Sequence, residues 1–292
     1  MLINRLKKFR KNPLGMKITF YIFFVFFLAM AVFYVFPLIW AMLNSLKTAA
    51  EFFDGSFALP KEWQFKNYVK VFTDFRYKDY FYFNMLFNSL WMTLVRITVN
   101  TLSSAFLAYA VARYRFPGKE LIYSMVIFAS TIPIVGNGPA TFKLLSSLRM
   151  INNPFLIWIA WAGAFDFAFV VFYGTFKGIS RSYSESAKID GAGNMTILFR
   201  IIFPQAWPSI MAIAITMSIS AWNDYGTSMI YMSNYPNLAY GLYLFSSQSS
   251  WVENSKAIYF AAVIISIIPV VVLYAANQKL ILTNVTAGGL KG

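Results

Sequence analysis

Residues 18–46 read ITFYIFFVFFLAMAVFYVFPLIWAMLNSL, 29 consecutive positions without Asp, Glu, Lys or Arg. About 20 mainly apolar residues, rising about 1.5 Å each, are enough for a helix to cross the hydrocarbon of a bilayer. A basic start (Arg5, Lys7, Lys8, Arg10, Lys11, Lys17) precedes the run, and Ala29-Met30-Ala31 within it fits a signal-cleavage pattern. The apolar stretch nevertheless continues through Trp40, too far for a signal's apolar core. It reads as a retained span.

The same criterion, applied outward, gives 201–223, 257–278 and 121–142. Two further stretches, 84–112 and 154–176, each hold one ionisable residue, Arg96 and Asp166. The composition agrees: 59% hydrophobic and 12% charged, against about 45–50% and about 25% in soluble domains. The expectation is an all-α polytopic membrane protein with six transmembrane helices. A segment 1–17 precedes the transmembrane domain 18–278, and a tail 279–292 follows it. No internal repeat is evident, so a pseudo-symmetric transporter made from one chain is unsupported. The chain has no Cys and no His. Disulfides, thiolate nucleophiles, the commonest general base and the usual transition-metal ligands are all missing, so no catalytic or metal site is expected.

The net charge of +14 raises the question of nucleic acid. With residue 1 placed inside the cell, segments 1–17, 113–120, 177–200 and 279–292 carry fifteen basic and three acidic residues. Segments 47–83, 143–153 and 224–256 carry nine and seven. An excess of Lys and Arg marks the cytoplasmic side, so both termini are expected there. The charge is a topology signal and no nucleic-acid partner is expected. On the other side, segment 47–83 (Leu59-Pro60, Trp63, Asn67, Tyr68, Phe72) reads as a loop and a short amphipathic piece lying at the bilayer interface. Pro133, Gly136, Gly138 and Pro139 are expected to break the end of the third span.

Between the fourth and fifth spans lies KGISRSYSESAKIDGAGNMTILFR, residues 177–200. Ser182-x-x-Glu185 predicts a capping box at the start of a helix, Gly191-Ala192-Gly193 its end, and Asn194 the cap of a second helix entering the fifth span. The local physics fits a plain connector in which Glu185 is structural. The fixed spacing of Glu185-Ser186-Ala187, Gly191, Ile201, Phe203 and Pro204 resembles the EAA motif of bacterial ABC importer permeases. Asp190, Ala192 and Phe199 match common flanking choices, while Ser186 stands where Ala is usual and Phe203 where Leu is usual. The resemblance extends to the carbohydrate branch, of maltose- and polysaccharide-importer type. It is carried there by Asn44-Ser45-Leu46-Lys47, Leu59-Pro60, Asn67-Tyr68, Trp222-Asn223-Asp224-Tyr225 and the ending Thr286-Ala287-Gly288-Gly289-Leu290-Lys291-Gly292.

That resemblance implies a type I ABC importer permease whose loop 177–200 is a cytoplasmic coupling helix. Glu185, Ser186, Ala187, Asp190, Gly191 and Ala192 would seat in an ATPase subunit, and the tail residues Gly288, Gly289 and Lys291 would reach the ATPase interface. The implied partners are a homologous second permease in a heterodimer, two copies of an ATP-binding subunit, an extracytoplasmic solute-binding protein and the lipid bilayer. The chain contains no G-x-x-x-x-G-K-[ST], so it is expected to bind no cofactor, with ATP and Mg held by partners. The implied cargo is an oligosaccharide, with room for an acidic one such as an alginate oligosaccharide. A glycerol-phosphate-type importer and an ion-coupled secondary transporter are the alternatives.

Within the spans, Arg96 and Asp166 each sit about 18 Å from one edge and each costs about 2.5–3.5 kcal/mol unless paired or wet. They either pair with each other or line the path, where Arg96 could meet an anionic substrate. Ser218, Ser220, Trp222 and Asn223, with Thr216, are further path candidates on the fifth span, although such residues also simply pack helices. Trp158, Trp161 and Phe165 read as interface or packing aromatics more readily than as sugar platforms. The Tyr-rich segment 224–256 suits either recognition or an interfacial belt.

Overall fold

The computed structural model describes residues 13–132, 136–163, 165–247 and 249–287, and its architecture is helical. Two compact units are distinguished: Met1–Val71 with Ser249–Ile265, and Phe72–Gln248 with Ser266–Gly292.

The first unit is built on α1, Leu14–Ser45, four residues earlier at its start than the charge-free run. None of its most apolar 18-residue window is buried. An all-round apolar helix with this exposure belongs in lipid or against a partner, as its sequence requires. Just beyond it the chain is tightly organised. Asn67 donates from its side-chain amide to the carbonyls of Ser45 and Lys47, both at 2.9 Å. Lys47, fully buried, donates to Gly55 O at 2.9 Å and Ser56 O at 3.2 Å. Thr48 and Glu51 form a complete capping box on α2, Ala49–Asp54. The expected short amphipathic piece is α3, Lys66–Thr73, with Asn67 and Val71 buried.

The second unit opens with a two-stranded antiparallel hairpin, β1 (Arg76–Tyr77) and β2 (Tyr80–Phe81), turned at Lys78 with φ 52°. It leads into α4, Tyr82–Arg113, the helix around which the unit packs. One face of α4 is small (Ser104, Ala105, Ala108, Ala112), which lets the aromatic face of α8 approach closely. The expected third span is divided into α5, Lys119–Thr131, and α6, Gly138–Ser147. Gly136 lies between them with φ 82°, and Pro139 stands in the first turn of α6. Pro133 lies outside the described residues.

The fourth expected span is also divided, into α7, Ile157–Ala160, and α8, Phe167–Gly178. The break is built locally by Gly163 and Asp166. Ser103 donates to the Gly163 carbonyl at 3.1 Å, and Ser104 donates to it as well. A Cβ on Gly163 would collide with Asn100 and Asp166, so only glycine allows this approach. Asp166 then accepts from the Phe169 amide at 3.2 Å and caps α8.

A short helix α9 (Ser182–Ile189) precedes α10 (Asn194–Trp222), which contains a π-helical turn at Ile197–Ile202. Pro204 follows that turn, and its missing N–H and ring crowding suit the wider helix there. After a second π turn, Thr227–Tyr231, come α11 (Leu238–Ser247) and α12 (Ser249–Ala287). Leu14–Ser45, Tyr82–Arg113, Asn194–Trp222 and Lys256–Gln278 are the described helices long and apolar enough to cross a membrane.

Candidate functional site

The loop 177–200 folds as a helix–turn–helix, but its ends are made differently from the expected ones. Arg181 occupies the cap position of α9, and its carbonyl accepts from the amides of Ser184 and Glu185, both at 3.0 Å. The Ser182 hydroxyl pairs with Ser180 at 2.8 Å instead of capping. The Ser182/Glu185 capping box is therefore absent, and Glu185 accepts no hydrogen bond among the described residues. Likewise Gly193, not Asn194, caps the following helix.

The stop is as expected. Gly191 has φ 81°; its amide donates to Lys188 O at 3.0 Å, and that of Ala192 to Ala187 O at 2.8 Å. These two bonds are a Schellman closure, which needs the left-handed residue that glycine supplies at least cost. Only Ala187 of the three-residue signature is buried. Glu185, Ser186, Asp190 and Gly191 are exposed, and Ala192 is half-buried. Sequence reasoning missed the apolar residues standing beside them: Tyr183, Ile189 (87% exposed) and Met195. The loop thus exposes an acid and three large apolar side chains on a stiff turn, the mixed character common at protein–protein surfaces.

Arg113 was also missed. It ends α4 and donates to Ile179 O at 2.7 Å and Ser184 Oγ at 2.9 Å, with longer bonds of 3.4 Å to Phe176 O and Ser180 O. A cavity of about 170 Å³ adjoins it, lined by Tyr109, Arg113, Arg181, Glu185, Lys188 and Asn194 among others.

The two intramembrane charges do not pair with each other. Arg96 forms an ion pair with Asp224. Asp166 accepts from Asn100 at 3.1 Å and Ser104 at 3.0 Å, besides capping α8. Asp166 is thus solvated by neutral donors and a helix N-terminus, while Arg96 finds its counter-ion just beyond α10. Asp224 is held in turn by the Thr227 amide at 3.1 Å and hydroxyl at 2.7 Å. Arg96, Asn100 and Ser220 share a cavity of about 110 Å³ with Ile97, Met217 and Ala221.

The other candidates on α10 divide between packing and exposure. Trp222 is buried and donates its indole N–H to Ser266 O at 3.2 Å. Ser218 is buried and donates to Ile215 O at 2.6 Å. Both border an apolar cavity of about 230 Å³ with Leu90, Leu94 and Pro269. Asn223 is exposed and bonds back to Ile219 O at 2.8 Å. In the Tyr-rich segment, the described tyrosines are engaged in packing. Tyr225 stacks on Tyr243 at 4.8 Å, and Tyr240 meets Tyr77 edge-on at 5.8 Å. Gly288, Gly289 and Lys291 of the tail lie outside the described residues.

Comparison with known proteins gives the family and the fold. The diacetylchitobiose uptake system permease of Streptomyces coelicolor is 29% identical over 255 residues, covering 86% of this chain and 82% of that protein. The trehalose/maltose transport system permease of Thermococcus litoralis is 28% identical, covering 90% and 94%. The fold is similar to that of a bacterial ABC transporter involved in the import of the acidic polysaccharide alginate: TM-score 0.78, 23% identity, 92% of this chain and 98% of that one. Residues 100–285, well over half of the chain, match the model of the binding-protein-dependent transport system inner membrane components. The chain belongs to that family, and is a multi-pass inner-membrane protein.

Proposed function

We propose that the chain is the permease subunit of a binding-protein-dependent, ATP-driven importer of oligosaccharides. The observation that carries the reading is the exposed Glu185 carboxylate, which accepts no hydrogen bond among the described residues, on a Schellman-closed helix that also exposes Tyr183 and Ile189. That helix is the seat for an ATP-binding subunit, in which Glu185 meets a cation. ATP and Mg belong to that subunit, present in two copies, and a second, homologous permease completes the path. Both termini and the loop 177–200 face the cytoplasm, in keeping with the Lys and Arg distribution. Gly288, Gly289 and Lys291 reach the ATPases, and a loaded solute-binding protein docks on the opposite face. Transport is a switch between two rigid-body states, biased by nucleotide at one end and by the binding protein at the other.

The cavity of Arg96, Asn100 and Ser220 is the stretch of path in this subunit. Because Arg96 is paired with Asp224, it offers donors and acceptors without uncompensated charge, which suits the hydroxyls of a neutral saccharide better than a carboxylate. The oligosaccharides named for the relatives support this substrate class. Purifying the complex, identifying its co-purifying chains and screening saccharides for binding-protein-dependent ATPase stimulation tests the reading. Recovery of a transport-competent protein without any ATPase, driven by a proton gradient, would contradict it.

A further inference from the structure

We propose that Arg113 is a positioning residue for coupling: it clamps α9 to the end of α4, so that a displacement of the loop is delivered to the helix carrying Arg96. For its consequence in transport this rests on the importer reading. The geometry stands on its own.

The acceptors of Arg113 belong to separate pieces of chain. Phe176 O is among the last carbonyls of α8, which have no partner within their own helix, and Ile179 O belongs to the residue that ends it. Ser180 O lies in the link to α9, and Ser184 Oγ is on α9 itself. One guanidinium therefore caps α8, holds the link and fastens the first turn of α9. The planar fork of Arg can serve several acceptors at once, whereas the ammonium of Lys is a compact point donor. Without Arg113 the backbone 179–181 keeps no other described side-chain bond to α4, and α9 could pivot about the link.

The other end of the same helix is equally committed. Arg96 binds Asp224, Ser89 Oγ accepts from Leu238 N at 2.8 Å, and Asn88 donates to Pro236 O at 3.0 Å. From Arg96 to Arg113 is 17 residues of continuous helix, about 25 Å. Helix α4 thus joins the loop to the polar cavity as one strut, and Arg113 is the joint at its end. Two discrete states of that strut, rather than a chain of small shifts, are the physical content of the coupling.

The absence of cysteine makes the test direct. Spin labels at L102C on α4 and S182C on α9, both exposed positions, report the distance across the clamp in the full complex in liposomes. Wild type should give one narrow distribution with and without ATP. R113A, which removes all four hydrogen bonds of the guanidinium, should broaden it and lower uptake per ATP hydrolysed at least about tenfold. If R113A does not assemble, R113K provides the comparison, with an intermediate width and intermediate uptake per ATP. Wild-type width in the variant, or a broadened distribution with unchanged uptake per ATP, would overturn the proposal. A narrow wild-type distribution without ATP-dependent uptake would instead count against the importer reading, and the width comparison would still decide the clamp.

Discussion

Arg96 shows how a single pairing redirects an argument. From sequence it has one equally deep acid to meet, Asp166, because both sit about a dozen residues inside their spans. Asp166 is instead a helix cap, and the counter-ion comes from Asp224, which sequence position alone assigns to the segment after the fifth span. The support that an unpaired Arg96 lent to an acidic substrate lapses with that pairing. A double-mutant cycle should find coupling of about 0.5–3 kcal/mol between Arg96→Ala and Asp224→Ala, while Arg96→Ala with Asp166→Ala is additive within about 0.5 kcal/mol. Thermal unfolding of the detergent-purified complex measures both. Gly163→Ala should cost about 1–3 kcal/mol in the same assay, since its Cβ would overlap Asn100 and Asp166 in a packed joint.

At the scale of elements, the long helices were legible because hydropathy alone writes them: 84–112 became Tyr82–Arg113, and 257–278 lies within α12. The break of the third expected span was legible too, in Gly136 and Pro139, whereas that of the fourth was not, because side chains from another helix help make it. Ser103, Ser104 and Asn100 of α4 stabilise the turn at Gly163–Asp166. Only Asp166 before an apolar run, a cap pattern, signalled it. Capping boxes illustrate the same limit. Thr48-x-x-Glu51 and Ser182-x-x-Glu185 look alike, yet only the first forms, because Ser180 takes the Ser182 hydroxyl and Arg181 becomes the cap. The failure leaves Glu185 with no hydrogen-bond donor among the described residues, as the proposed partner contact requires and local helix rules did not suggest. Thr48→Ala should therefore destabilise α2 by about 1 kcal/mol, whereas Glu185→Gln should change stability by less than about 0.5 kcal/mol. Amide hydrogen exchange over residues 48–62 and thermal unfolding check the two.

Glu51 adds a pH dependence at the same scale. Amide hydrogen bonds from Thr48, then from Glu62 and Lys61, hold its carboxyl below the ordinary glutamate range, against the opposing effect of burial. A lowered value means the folded loop is favoured above the unfolded glutamate pKa of about 4.3 and loses that support as the pH falls through the folded value. Exchange protection at Lys61 and Glu62 should fall on acidification in the native chain, and be low and pH-independent in Glu51→Gln.

For the whole molecule, the proposed importer is driven at one face and loaded at the other, in keeping with the charge pattern and the apolar spans. Helix α4 joins the two, with the Asp224 ion pair along its length and the Arg113 clamp at its end. Single-cysteine labelling on the cysteine-free chain should reach S182C only from the cytoplasmic side, and K66C only from the opposite one. The central claim is that Glu185 transmits ATPase closure to this subunit. The most direct measurement is substrate-stimulated ATP hydrolysis and uptake by the reconstituted complex carrying Glu185→Lys. The account predicts that the complex still assembles, while stimulation by the loaded binding protein and uptake are both lost. Wild-type stimulation and uptake in that variant would contradict it.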